Sequence, residues 1–242
     1  MNINEADLAR KQGKKEYVRE MFNSISPKYD LMDRILSFGI DIRWRKRATR
    51  ILKEFNPAKV LDVATGTADL AIQEALDLDV EKIIGVDISE KMLDMGKSKI
   101  KKHQLDKVIE LQVGDSENLS FADNIFDAVS VSFGVRNFED LNQGLSEMHR
   151  VLKHNGILLI MEFSLPSSII IRALYRFYFN RVVPFIGRVI SGNAYAYQYL
   201  PDSVEQFPYG DEFVKLLKEI GFKDLKATTL SSGICTIYTG IK

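Results

Sequence analysis

Cysteine is nearly absent: Cys235 is the only one in 242 residues. A single thiol excludes an intrachain disulfide and suits a reducing compartment. The three histidines, His103, His149 and His154, share no metal-ligand spacing, so a histidine metal centre is not expected. Net charge is missing too. Lys plus Arg and Asp plus Glu both number 33, which gives no overall pull toward nucleic acid. No apolar run approaches the length of a membrane span. The opening MNINEADLARKQGKKEYVREMF holds no apolar stretch of a secretory signal, and Glu5, Asp7, Glu16 and Glu20 argue against an organelle transit peptide. A cytoplasmic chain is expected. Charge is nevertheless uneven. Residues 1–55 carry 13 Lys/Arg against 8 Asp/Glu, which is compatible with a nearby anionic surface.

What is present is enough for a core, with 45% hydrophobic residues. From residue 58 onward, short β-branched apolar runs alternate with amphipathic ones. Strands are expected at Val60–Val63, Lys82–Asp87, Ile109–Val113, Phe126–Phe133 and Ile157–Phe163, and helices at Asp69–Leu76, Glu90–Gln104 and Glu139–Leu152. Lys153-His154-Asn155-Gly156 reads as the stop of the last, with Gly156 at its C-cap. The alternation predicts an α/β fold, a doubly wound and mostly parallel sheet. A further helix, Asp211–Ile220, stops at Gly221. Two strands, Phe222–Leu230 and Cys235–Ile241, then form a hairpin, which makes seven strands with the last antiparallel. Two segments lie outside the sheet. Residues 1–55 read as a helical substrate cap with a polar break at Asn23–Pro27. Residues 164–209 are too long for an ordinary connection and read as an inserted lid at the sheet's carboxyl edge.

The most informative stretch is VLDVATGTADLA, Val60 to Ala71. A strand breaks into a turn and a helix, as in nucleotide-binding folds, but the turn has one glycine, Gly66. A dinucleotide-binding turn needs three, so that its backbone can approach a pyrophosphate. Asp62 and Asp69 bring negative charge close to the turn and would repel a pyrophosphate. A ligand with adenosine at one end and two cationic centres, as in S-adenosylmethionine, meets no such objection. Asp87 ends the second strand 21 residues after Gly66, where a carboxylate accepts ribose hydroxyls. Asp115-Ser116 ends the third, where it can meet an adenine amino group.

These stretches carry a resemblance. FNSISPKYDLMDRILSFG, LDVATGTADL, GVDISEKML, SVSFGVRNFEDLNQGLSEMHRVLKHNG, YLPDSVEQFP and GICTIYTGIK together cover nearly the whole chain. It resembles the class I S-adenosylmethionine-dependent methyltransferases, and within them the quinone-ring C-methyltransferases of menaquinone and ubiquinone biosynthesis. GVDIS and HRVLKHNG are generic to the superfamily; YDLMDRILSFG, SFGVRN and YLPDSV are specific to the quinone branch. Ala68 departs from the pattern, which has glycine there. The resemblance implies cofactor contacts at Thr67, Asp87, Asp115, Ser116 and Ser132. The turn adds Asp62, read as facing a cationic ligand, Gly66, and Ile88 beside Asp87.

Arg136 and Asn137 follow the apolar Phe133-Gly134-Val135 directly after the fourth strand, where the methyl acceptor should stand. With Asp30 they form the expected catalytic set, Arg136 stabilising a phenolate. Tyr29, Phe133, Tyr195 and Tyr199 are expected in the acceptor pocket. His149 and Cys235 read as structural. The helix expected at 169–183 sets Arg172, Arg176 and Arg181 among aromatics, either packed on the sheet or offered to a lipid surface. The implied reaction is C-methylation of a polyprenyl quinol, with demethylmenaquinol as the acceptor and a 2-polyprenyl-6-methoxy-1,4-benzoquinol as the alternative. A homodimer and transient contact with the inner face of the cell membrane are compatible with the sequence. An NAD-dependent oxidoreductase is disfavoured by the missing glycines, and an inactive assembly subunit by the intact cofactor edges.

Overall fold

The structure, a computed structural model, describes residues 13–183 and 196–242. Its centre is a seven-stranded sheet in the order β3-β2-β1-β4-β5-β7-β6. The strands are β1 (Lys59–Val63), β2 (Lys82–Asp87), β3 (Ile109–Val113), β4 (Phe126–Ser132), β5 (Leu152–Phe163), β6 (Lys223–Leu230) and β7 (Cys235–Ile241). The first five are parallel, and β7 runs antiparallel between β5 and β6. The chain leaves β1 toward β2 on one side and reaches β4 on the other. The carboxyl ends of β1 and β4 therefore border the crevice where open α/β sheets bind ligands.

Alternation along each strand divides the core in two. Leu61 and Val63 face one side with Val129, Val131, Leu158 and Ile160. There they meet α6 (Leu141–Val151) through Leu145 and Met148, and α9 (Asp211–Ile220) through Phe213 and Leu217. Val60 faces the other side with Ala128, Ile157 and Leu159. That side is covered by α3 (Ile40–Lys53) through Trp44, Ala48 and Leu52, by α4 (Asp69–Asp77) through Leu70 and Ala71, and by α5 (Glu90–Lys102) through Ile100.

A third apolar cluster caps the carboxyl edge of the sheet. It joins Met21 and Ile25 of α1 (Lys14–Ile25), Met32 of α2 (Tyr29–Leu36), Met92 of α5, and Tyr175 and Phe179 from a helical run after β5. That run is α7 (Ile169–Phe177), continued by a π-helical turn, Tyr178–Val182. One more helix, α8 (Ala196–Gln206), carries Pro201 within it.

Several expected boundaries move, each for a local reason. The break near Asn23 falls later, because α1 runs through to Ile25 and a 3-10 turn, Ser26–Lys28, takes up Pro27. α6 starts at Leu141 because the Asp140 carboxylate caps it, accepting from the Gln143 amide at 3.0 Å. Gly156 is not its C-cap. The helix ends at Val151, Leu152 is already extended, and the left-handed position falls on Asn155 (φ 62°). β5 consequently starts five residues earlier than expected. Glycine is required at 156 for space, since a Cβ there would meet Leu152 side-chain carbons at 2.9 Å.

Candidate active site

The carboxyl ends of β1 to β4 converge on one cleft. After β1 the chain turns through Ala64 (φ 52°), Gly66 (φ 56°) and Ala68 (φ 64°) before α4 begins. Such left-handed residues let the turn double back tightly. A Cβ built on Gly66 meets nothing within 4 Å, so the backbone there faces open space. Ala68 sits in a conformation that glycine would adopt without strain. Its methyl group packs over Gly96, where an added Cβ would lie 3.3 Å from it.

Asp87, at the tip of β2, holds the turn in place. Its Oδ2 accepts from the Gly66 amide at 2.8 Å and its Oδ1 from the Ser89 amide at 2.8 Å. Burial pushes its carboxyl above the usual carboxylate range, and the backbone amides pull it back. Asp87, Ile88, Asp115, Ser116, Ser132, Phe133 and Asn137 all line the cleft with Gly66. Asn137 is nearly buried, and its Oδ1 has no hydrogen-bond partner among the described residues. The charged residues in the walls are Lys15, Asp87, Asp115 and Glu117. Lys15 is already paired with Asp115 (2.7 Å) and Glu117 (3.1 Å), so the cleft favours a cation over a phosphate. These features fit S-adenosylmethionine: a carboxylate beside the turn for hydroxyl groups and, among the described residues, an unpartnered amide oxygen for an ammonium group and no free cation in the cleft walls for a pyrophosphate.

Two expected cofactor residues do not reach the cleft. Asp62 has the same strand parity as Val60, so its side chain lies on the α4 side, fully buried. It accepts from the Thr65 hydroxyl at 2.6 Å and neighbours the buried Glu74 of α4. Burial raises its pKa to about 7. Asp62 therefore braces the turn from behind rather than facing a cationic ligand. Thr67 also turns away: its hydroxyl donates to Asp30 at 2.6 Å and accepts from Lys99 at 3.0 Å.

A second cavity, about 340 Å³, lies under the α1–α2–α7 cap. Phe22, Tyr29 and Phe133 line both spaces, so the two meet at these rings. The second cavity is walled mainly by Met21, Ile25, Met32, Trp44, Phe163 and Phe179. Arg136 and Tyr199 also line it. Arg136 lies in the 3-10 turn Val135–Asn137. Its Nη1 contacts Glu162 Oε1 at 2.8 Å and also donates to the Phe133 carbonyl, and its guanidinium stands 5.3 Å from the Phe163 ring centre. Glu162 is fully buried; burial pushes its carboxyl up and Arg136 opposes that. The Tyr199 hydroxyl is buried without a partner among the described residues.

Asp30 is not in this cavity. It pairs with Lys99 at 2.9 Å on the α4–α5 side, and Asp33, one turn beyond Tyr29, takes the cavity position instead. Tyr195 and Phe185 lie outside the described residues. His149 packs edge-on against Phe222 at 4.8 Å, and Cys235 is buried in the core. Sequence reading also missed Glu162, although a lone acid in the apolar run LLIMEF was a signal for it. Nothing local marked Lys15, which pairs across 100 residues.

This sheet order, with the antiparallel β7 and the acid-tipped cleft beside β1, defines a class I S-adenosylmethionine-dependent methyltransferase. A Thermotoga maritima S-adenosylmethionine-dependent methyltransferase, described as a possible histamine N-methyltransferase, shares the fold at TM-score 0.65 and 18% identity, over 93% of this chain and 99% of that one. The chain belongs to the ubiE/COQ5 methyltransferase family, whose profile matches residues 10–242. It is 44% identical over 229 residues to the Bacteroides fragilis demethylmenaquinone methyltransferase, covering 95% of this chain and 94% of that one. It is 45% identical over 230 residues to the Geotalea uraniireducens ubiquinone/menaquinone biosynthesis C-methyltransferase, covering 95% and 97%.

Proposed function

We propose that this protein C-methylates the ring of demethylmenaquinol, a polyprenyl quinol, to give menaquinol. The observation that carries this reading is the second cavity. It is apolar, it meets the cofactor cleft at Phe22, Tyr29 and Phe133, and it holds the Arg136 guanidinium in its wall. The relative from Bacteroides fragilis, a demethylmenaquinone methyltransferase by name, supports the naphthoquinol ring.

S-adenosylmethionine, when bound, supplies a methyl group on a positively charged sulfur. Asp87 would hold its ribose hydroxyls, Asp115 and Ser116 its adenine, and the Asn137 amide oxygen its ammonium group, with Gly66, Ile88 and Ser132 completing the walls. Phe22, Tyr29 and Phe133 exclude water where the two spaces meet. A dry junction favours a reaction in which an anionic ring carbon and a cation neutralise one another. Arg136 stabilises the developing phenolate, and the aromatic walls position the ring.

The cap formed by α1, α2 and α7 is the acceptor's enclosure, and its outer face is the entrance. Ile169 (84% exposed), Ile170 (74%), Leu174 (65%) and Phe177 (64%) project from α7, and Phe38 (77%) stands beside them, 6.0 Å from the Tyr178 ring. Leu174 and Phe38 also line the cavity, so the exposed apolar patch runs into it. No helix among the described residues is long and apolar enough to cross a membrane. The patch therefore suits contact at the bilayer surface, with the prenyl tail passing between lipid and cavity. Arg172 is tied to the Pro166 carbonyl and Arg176 to Glu205, while Arg181 is exposed, so the contact joins an apolar patch to the charge of Arg181.

The direct test is transfer of a labelled methyl group to demethylmenaquinol in vesicles, run beside the benzoquinol that the ubiquinone branch would use. Label in the naphthoquinol is expected. Label in the benzoquinol alone moves the assignment to the other ring, and label in neither overturns it. The entrance has its own test. Ile170→Asp with Phe177→Asp, neither of which lines the cavity, should lower activity on a long-chain quinol in vesicles by about tenfold or more. Activity on a short, water-soluble quinol should stay within about twofold. Equal loss on both would place these residues in folding rather than at a membrane.

A further inference from the structure

Among the described residues that line the acceptor cavity, Asp33 is the one carboxylate and Arg136 the one cation. Asp33 stands one helical turn beyond Tyr29 on α2. Positions i and i+4 share a helix face, with Cβ atoms about 6 Å apart. Tyr29 borders both spaces, so Asp33 sits about one turn from the point where cofactor and acceptor meet.

Its carboxylate is weakly held. Arg45, on α3, is shared among three acids: it contacts Asp41 most closely, Asp69 at 3.4 Å and Asp33 at 3.6 Å. Asp41, on the same helix as Arg45, also accepts from the Ser37 hydroxyl at 2.6 Å. The charged groups acting on Asp33 are thus Arg45 and Asp41 from α3, Asp69 from α4 and Asp30 from its own helix. Lys99 holds Asp30 at 2.9 Å and also contacts Asp69, so two cations, Arg45 and Lys99, stand against four acids and do not neutralise them all. The Asp33 side chain is about a quarter exposed, and it lines the cavity.

We propose that Asp33 is the catalytic base that takes the hydroxyl proton of the acceptor ring. This rests on the reading of the second cavity as the quinol site. The hydroxyl O–H bond breaks, the proton goes to the Asp33 carboxylate, and the oxygen keeps the bonding pair, which enriches the ortho carbon. Once that carbon carries the methyl group, its own C–H proton leaves to solvent to restore aromaticity. Asp33 returns the first proton to the oxygen, so one proton is released per turnover. Arg136 and Asp33 divide the work: the cation stabilises the oxyanion and the carboxylate stores its proton. Burial and the neighbouring acids raise the Asp33 pKa to about 6, with Arg45 opposing them, which suits a base working near neutral pH.

The test uses a binding readout and a kinetic one. A 1-naphthol carrying a short prenyl group is titrated against the intact protein at pH 5 and pH 7.5, beside its methyl ether. The naphthol should bind about tenfold tighter at pH 7.5, when Asp33 is ionised and accepts the O–H, while the ether shows no pH dependence. Asp33→Asn should abolish the difference. The same variant should lose about 100-fold in kcat at pH 7.5, with KM for the quinol raised by no more than about tenfold and KM for S-adenosylmethionine within about threefold, and should lose the acidic limb of the kcat/KM profile near pH 6. If both compounds bind with no pH dependence, or the limb persists in Asp33→Asn, Asp33 is structural and the proposal fails. If neither compound binds, the quinol reading of the cavity fails, and the proposal with it.

Discussion

Arg136→Ala is expected to cut turnover by about 100- to 1,000-fold while leaving S-adenosylmethionine affinity within about threefold. The loss is the size seen when one preorganised donor to a developing oxyanion is removed. Cofactor affinity survives because the turn carrying Arg136 is pinned from outside: Lys14 Nζ donates to the Arg136 carbonyl at 3.2 Å and also to the Phe138 carbonyl. Turnover alone does not separate chemistry from folding, since the change also strands the buried Glu162 carboxylate. Leaving such a partner unpaired costs about 3–5 kcal/mol. The melting temperature of Arg136→Ala should therefore fall, and adding Glu162→Gln should restore most of it without restoring turnover. Recovery of turnover in the double variant would mean that Arg136 serves to neutralise Glu162 and takes no part in the reaction.

Asp87→Ala should weaken S-adenosylmethionine binding by more than tenfold, read by calorimetric titration. Charge-assisted bonds from ribose hydroxyls to a carboxylate are worth about 1.5–3 kcal/mol. A second effect adds to this: both Asp87 oxygens accept backbone amides, so the variant also releases the Gly66 turn from β2. Asp87→Asn retains an oxygen that can accept from the Gly66 amide and should fall between wild type and Asp87→Ala. An unchanged titration curve for Asp87→Ala would place the cofactor elsewhere.

The sheet was legible because its signals are local. Short apolar runs, the single-glycine turn, Gly221 closing α9 and the final hairpin can each be read within a dozen residues. The cleft residues at the strand tips followed, because a strand's last residues are at the carboxyl edge whatever packs around them. What could not be read is which way a side chain turns once neighbours arrive. Asp62 carries the right charge near the right turn, yet strand parity and α4 bury it behind. Asp30 and Asp33 differ by about 60° around one helix, from 100° per residue. That rotation takes one toward Lys99 and leaves the other in the cavity. Glu162 gains its meaning from Arg136, 26 residues away. Such pairings are properties of the assembled cap and leave no periodic trace.

α1 contributes walls to both spaces: Lys15, Val18 and Phe22 to the cofactor cleft, and Met21, Phe22 and Ile25 to the acceptor cavity. It is fastened over the cleft by Lys15 on Asp115 and Glu117, and by Asn23 accepting from the Ser89 hydroxyl at 2.8 Å. A displacement of this helix opens both chambers together. Dissolved salt screens the partly exposed Lys15–Asp115 pair, so higher ionic strength should loosen the hold of α1 over both spaces at once.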